Sequence, residues 1–194
     1  MANLNAPNGF SPVKLLAASG FNFAINSYYI PSTDNTAVGI GDVVKLASGS
    51  TYDAISGQYL KNVAKVATPA TDVPVGVVVG FAFDPTNLMN KYRVASTNRI
   101  VFVADAPEQL FEAQSDATGI AAADIGKNAT FTTGTVNTTT GVTDAVVTGP
   151  ATTNTLPFEI VGFSSVAKNE VGAYSRVILR WNKHQYATAQ TTGV

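Results

Sequence analysis

Apolar positions along the chain recur in short runs rather than at helical spacing. Val, Ile, Phe and Tyr gather in stretches of a few residues bounded by Gly, Pro, Asn and Asp, the pattern of strands separated by turns. The stretches 24–30, 42–46, 63–65, 75–83, 99–103, 110–114, 128–132, 142–147, 158–163 and 175–181 meet it. Their irregular spacing suits an antiparallel β-sandwich or β-barrel. Helical periodicity is confined to short candidates at 11–18, 106–113 and 119–125. Pro107 fits a first helical turn there, and Glu108 its positive end. The pattern predicts an all-β fold with short helical turns.

Two runs say more about burial. Val75, Gly76, Val77, Val78, Val79, Gly80 and Phe81 are apolar at both parities, which predicts a central strand covered on both faces. Gly76 and Gly80 mark a bulge or a close backbone approach. In 176–181, Arg176 and Arg180 share a parity with Ile178, while Val177, Leu179 and Trp181 share the other, so the Val-Leu-Trp face belongs to the core.

The ends and one internal segment differ in composition. Residues 1–23 carry Pro7, Gly9, Pro12 and Gly20 around Phe10, Val13, Leu15 and Leu16, and suggest an extended N-terminal arm that docks on a neighbour; an arm folded against its own domain is the alternative. Residues 24–185 form a single β-rich domain. Within it, threonines crowd 130–155, with Gly134 and Gly141, as expected of exposed β-hairpins; a disordered linker is the alternative. Residues 186–194 lack structure signals and are expected to form a flexible tail.

At 194 residues the chain is long enough to bury a core without disulfide staples. Only 13% of its residues are charged and the net charge is −1, against about 25% charged residues in a typical domain. A basic footprint for nucleic acid is absent, as is a polybasic membrane patch. A surface so poor in charge suits coverage by partners, because ions at the centre of an interface need compensating partners. With no cysteine and one histidine, the sequence excludes disulfides, thiolate nucleophiles, Cys-based metal sites and multi-His metal sites. No stretch reaches the ~18 consecutive apolar residues of a spanning helix. Residues 1–20 lack the charged-then-apolar order of a signal peptide, which predicts synthesis in a reducing cytoplasm.

Candidate chemistry is sparse. His184 stands near the chain end without a nucleophile elbow anywhere; Gly162-Phe163-Ser164 starts like one and is broken by Ser165 and Val166. Asp105, Glu108, Glu112 and Asp116 are the closest acidic group, and Glu108 and Glu112 would share a face of a helix, most simply a solvated one. Gly39-Ile40-Gly41 lies between strands rather than opening a helix, which makes it a tight turn rather than a phosphate loop. Phe21, Phe23, Tyr28 and Tyr29 lack neighbouring Lys or Arg and suit a core or interface better than base stacking. No catalytic constellation emerges, so the chain reads as a non-catalytic binding or structural protein, with no catalytic, cofactor or metal residues assigned.

Several stretches carry a likeness: 1–13, 75–81, 92–99 (Tyr92-Arg93-Val94-Ala95-Ser96-Thr97-Asn98-Arg99), 111–114, 123–129 and 181–185. Together they are spread along most of the chain and resemble structural proteins of tailed bacteriophages, the head decoration, cement or capsid-stabilising proteins. The resemblance implies a virion protein on the capsid exterior that bridges neighbouring major capsid subunits, commonly as a homotrimer at three-fold positions. It implies no enzyme activity, no cofactor, and neither nucleic acid nor membrane as partner. The N-terminal arm then becomes the expected capsid contact, with Phe10, Pro12 and Val13 at its centre, adding a strand to an exposed capsid edge. The alternatives are a head-fibre, tail or baseplate component contacting the host surface, a major capsid protein, which would need a long spine helix, and a hydrolase.

Overall fold

β-branched and aromatic residues at alternate positions set strands all along the sequence, and the computed structural model describes residues 3–16, 24–54, 56–84 and 86–187. Among these, eleven strands form: β1 (Ser11–Leu15), β2 (Ile25–Ile30), β3 (Val43–Asp53), β4 (Gln58–Lys65), β5 (Gly76–Phe81), β6 (Arg99–Ala104), β7 (Gln109–Gln114), β8 (Asn128–Thr132), β9 (Val146–Ala151), β10 (Phe158–Phe163) and β11 (Arg176–Trp181). They sort into an open six-stranded sheet, in the order β1-β7-β11-β10-β8-β9, and a closed barrel, β2-β4-β3-β5-β6. Every ladder is antiparallel except the one between β2 and β4. The fold is all-β, as the pattern predicts.

The helical candidates turn out differently. Residues 11–15 are strand β1, and 17–18 lie outside the described residues. The 106–113 candidate is a turn followed by β7, because Leu110 pairs with the distant strands β11 and β1 rather than within its own segment. Only 119–125 contains a helical piece, a single 3-10 turn at Ala122–Asp124. Asp124 closes it by accepting the Ala121 N–H at 2.9 Å.

β5 explains how barrel and sheet join. Val75, Val77 and Val78 are fully buried. Val75 and Val78 point into the barrel with Val44, Val63, Val101, Val103 and Ile30. Val77 points the other way, with Val43 and Ala104, onto the aromatic face of the sheet. The expected double covering is therefore met, one face in each core. Gly76 permits it: a Cβ there would lie 2.5 Å from the Ala104 carbonyl oxygen. Gly80 sits at a register shift between β5 and β6.

The barrel lumen holds mostly Val and Ile. Eight-stranded barrels leave an interior just filled by side chains, so five strands leave room only for compact ones. The slab between barrel and sheet is aromatic instead. Phe158 lies stacked between Phe10 (4.9 Å between ring centroids) and Trp181 (4.7 Å), with Phe131 and Phe111 edge-on. Val177, Leu179 and Trp181 face this slab as the alternation predicts. On the sheet's outer face Arg180 pairs with Glu159 directly opposite, and Arg176 with Glu112.

Two segments depart from expectation. The N-terminal residues are not a free arm. Gln114, buried, donates to the Leu4 carbonyl at 2.8 Å and accepts the Ala6 N–H at 3.0 Å. Asn3 donates to the Glu170 and Ala173 carbonyls. β1 then pairs along β7 as an edge strand. The threonine-rich stretch forms the β8–β9 hairpin, but its connection folds back over the barrel instead of standing exposed. Val136, Thr143 and Ala145 are buried, and Val142 bridges Ile40. Its exposed part is mainly the tip at 137–140, with Thr135 and Asp144. At the C-terminus Tyr186 is held against the barrel, its hydroxyl 2.9 Å from that of Tyr28; residues 188–194 of the expected tail lie outside the described residues.

Buried charge sits in connections and at strand ends. Arg93 is fully buried and uses its guanidinium as a five-donor fork. It donates to the carbonyls of Pro31 (2.8 Å), Asp34 (2.6 Å), Thr36 and Thr97 (2.9 Å), and to the Asp34 carboxylate at 3.4 Å. It thereby ties the 31–38 loop to the 93–97 turn. Asp42 and Lys65 form a second buried pair at 2.9 Å, and burial raises the Asp42 pKa despite Lys65.

Candidate protein-contact surface

The residues expected to reach a partner are the first to place. Phe10 is 1% exposed, and its ring is the outer leaf of the stack on Phe158. Its N–H donates to the Gly41 carbonyl at 3.0 Å, and Gly9 turns the chain into this position at φ +68°, where a Cβ would strike Thr143 and Gly41. An aromatic side chain that fills its own core is not offered to a neighbour, so the expected contact role of Phe10 is corrected. Pro12 and Val13 are half-buried on β1. Pro12 lacks an N–H, which an edge strand tolerates, and it stands opposite Phe111. Pro12 and Val13 lie on the sheet's edge strand while Phe10 turns into the core before it, so the three form no projecting arm.

The remaining sequence candidates have structural places. His184 is buried. Its Nδ1 accepts the Tyr186 N–H at 3.1 Å, so Nε2 carries the proton and donates to the Val75 carbonyl at 2.7 Å. Burial lowers its pKa. Glu112 receives Arg176 at 3.1 Å and the Ser164 hydroxyl, while Glu108 is exposed in the turn before β7, so the two share no helical face. Gly39–Gly41 is a tight turn: the Asp42 N–H donates to the Gly39 carbonyl, and the Asp42 carboxylate accepts the Gly39 N–H at 2.8 Å. Tyr28 and Tyr29 belong to β2; Phe21 and Phe23 lie outside the described residues. Among the described residues no three His, Cys, Asp or Glu side chains are grouped to hold a metal, and no helix is long and apolar enough to cross a membrane.

What the sequence reading missed is the connection from β5 to β6. Phe83, Leu88 and Met89 are 71%, 74% and 79% exposed. Such exposure of three large apolar side chains in one loop invites a floppy connection, yet Asp84 organises it. Its carboxylate accepts the Thr86 hydroxyl (2.6 Å), the Thr86 N–H (2.9 Å) and the Asn90 amide (2.9 Å), and pairs with Arg99 at 2.8 Å. The hydrogen bonds from Thr86 and Asn90 hold its pKa well below the usual carboxylate range. Arg99, itself buried, also donates to the Asn90 carbonyl at 3.1 Å. Phe81, Phe83 and Leu88 help line a hollow of about 380 Å³. The loop is thus held in shape while its apolar groups face water. In sequence these residues look like the tail of an apolar strand followed by a turn; the internal scaffold of the turn is visible only in three dimensions.

Comparison with known proteins matched no family model, no curated relative and no solved structure. Chemically, the loop offers an ordered adhesive patch. A loop ordered in advance loses less conformational entropy when a partner covers it, and Phe and Met are enriched at interfaces.

Proposed function

We propose that the chain is a structural protein of a bacteriophage virion that binds the capsid exterior and cements neighbouring major capsid subunits, as a homotrimer at three-fold positions. The observation that carries the reading is the scaffolded loop with Phe83, Leu88 and Met89 turned outward. The neutral composition of the chain and its likeness to head decoration proteins support it further. A copy that spans several subunits stabilises the shell by mass action, since parting the subunits must also break its contacts. Three linked copies add avidity without new contacts.

The test is co-sedimentation with expanded heads stripped of this protein. Wild-type chain pellets with the heads and raises their resistance to heat and osmotic shock. Leu88→Asp with Met89→Asp lowers occupancy by about tenfold, equivalent to ~1.4 kcal/mol. Ile125→Asp, at an exposed position on the 3-10 turn, leaves binding unchanged. Deleting residues 2–13 is a poor probe, because it removes Phe10 and β1 and so attacks the fold. Stripped heads that neither bind the chain nor gain resistance overturn the reading. Sedimentation equilibrium of the free protein at three times 20.2 kDa is the expected mass. The second reading, a fibre, tail or baseplate component at the host surface, has the exposed Tyr52–Tyr59 pair in its favour. Electron cryo-microscopy of the particle separates head from tail.

A further inference from the structure

We propose that the seam between β2 and β4 is a carbohydrate-binding site that takes a neutral pyranose. The inference is independent of the capsid reading. β2 and β4 run parallel and meet in register only at Tyr29 and Asn62. On the N-terminal side of that point the strands part, and between them opens a hollow of about 330 Å³. That is the lower end of the size of small-molecule sites.

The walls supply what a sugar needs. Tyr59 lines the hollow, is 73% exposed, and lies against Tyr52 with ring centroids 5.3 Å apart at 56°. The two rings form an aromatic shelf at the end of the β3–β4 hairpin. The negative face of an aromatic ring suits the weakly positive C–H face of a pyranose. Five of the chain's seven tyrosines, Tyr28, Tyr29, Tyr52, Tyr59 and Tyr186, gather on or beside this seam.

Around the shelf stand groups that read hydroxyls. Asp105 is buried and held in place: Asn26 donates to both its oxygens at 3.0 Å, and the Tyr28 hydroxyl donates to Oδ2 at 2.6 Å. Because the Tyr28 O–H is directed at Asp105, Tyr186 donates to Tyr28 at 2.9 Å, and Lys61 donates to Tyr186 at 3.2 Å. The chain of bonds has one polarity, from Lys61 to Asp105. Gln58 and Ser27 add an amide and a hydroxyl at the rim. Donors and acceptors are mixed, and the two charged lining residues, Lys61 and Asp105, cancel. A neutral, hydroxyl-rich ligand matches that balance. A nucleic acid finds one cation, too few to neutralise a phosphate backbone. An extended peptide finds polar walls instead of apolar side-chain pockets.

The experiment titrates the full chain against immobilised neutral oligosaccharides of glucose, galactose, mannose and N-acetylglucosamine, with oligothymidylate and an extended-peptide panel alongside. At least one neutral oligosaccharide is expected to bind. Tyr59→Ala then weakens it by about tenfold, Gln58→Ala by less, and Tyr59→Phe keeps it, since the stacking face survives. Circular dichroism of each variant confirms that these exposed substitutions leave the fold intact. Absence of binding to every sugar at millimolar concentration overturns the proposal. So does binding that Tyr59→Ala leaves unchanged, or a peptide or oligonucleotide held more tightly than any sugar.

Discussion

The barrel and the sheet bury their cores in opposite ways. The barrel is closed, and its narrow lumen takes compact residues such as Val44, Val63, Val78, Val101 and Ile30. The sheet is open, with β1 and β9 at its edges, and needs wide, flat side chains to cover its inner face: Phe10, Phe111, Phe131, Phe158 and Trp181. Closure by hydrogen bonds lets small residues suffice, whereas an open sheet relies on the area that each ring removes from water. Energy should therefore be concentrated in a few rings on the sheet side and spread over many small contacts in the barrel.

Truncation tests this most directly. Phe158→Ala removes the middle ring of a three-ring stack and should cost about 3–5 kcal/mol, a large part of the ~5–15 kcal/mol that a domain commonly has. Val78→Ala in the lumen should cost about 1.5–3 kcal/mol. Urea unfolding of both variants measures the contrast, and equal losses would show that the two cores share the load evenly. A smaller effect is expected from pH. The unfolded imidazole of His184 takes up a proton as pH falls through its ordinary value of 6.5, while burial depresses the folded value. The unfolded state then binds more protons, so stability is retained above that pH and declines as the pH falls below it. The urea midpoint of the wild type should drop between about pH 7.5 and about pH 5.5, and His184→Gln should flatten that slope. The smallest effect belongs to Tyr59→Ala at the exposed hairpin, within about 0.5 kcal/mol. A larger loss there would mean that the hairpin tip packs as part of the barrel.

The same contrast governs what the sequence revealed. Strands with a buried face were legible, since alternation marks Val177, Leu179 and Trp181, and a doubly apolar run marks β5. The outer halves of β3 and β4 were not. Residues 47–53 and 58–62 are mostly exposed or half-exposed, so Ala47-Ser48-Gly49-Ser50 carries no core-facing period, and Gly49, at φ +86°, lies within a break in the register. β1 was hidden differently. Its Pro and Ser positions suit an edge, and its partner β7 lies almost a hundred residues away along the chain. The threonine-rich connection misled because threonine composition speaks of exposure, whereas burial of Val136, Thr143 and Ala145 depends on the barrel beneath. Of the surfaces, neither the loop ordered by Asp84 nor the tyrosine-lined seam follows from local pattern, because each joins residues from separate strands and turns.

The three-ring stack also constrains how the molecule is made. Phe10 and Trp181 stand far apart along the sequence, and both clasp Phe158. Synthesis must pass Trp181 before that clasp shuts. Until then β10 lacks its β11 partner and Phe158 lacks one of its two flanking rings, a period in which sticky surface stays partly open.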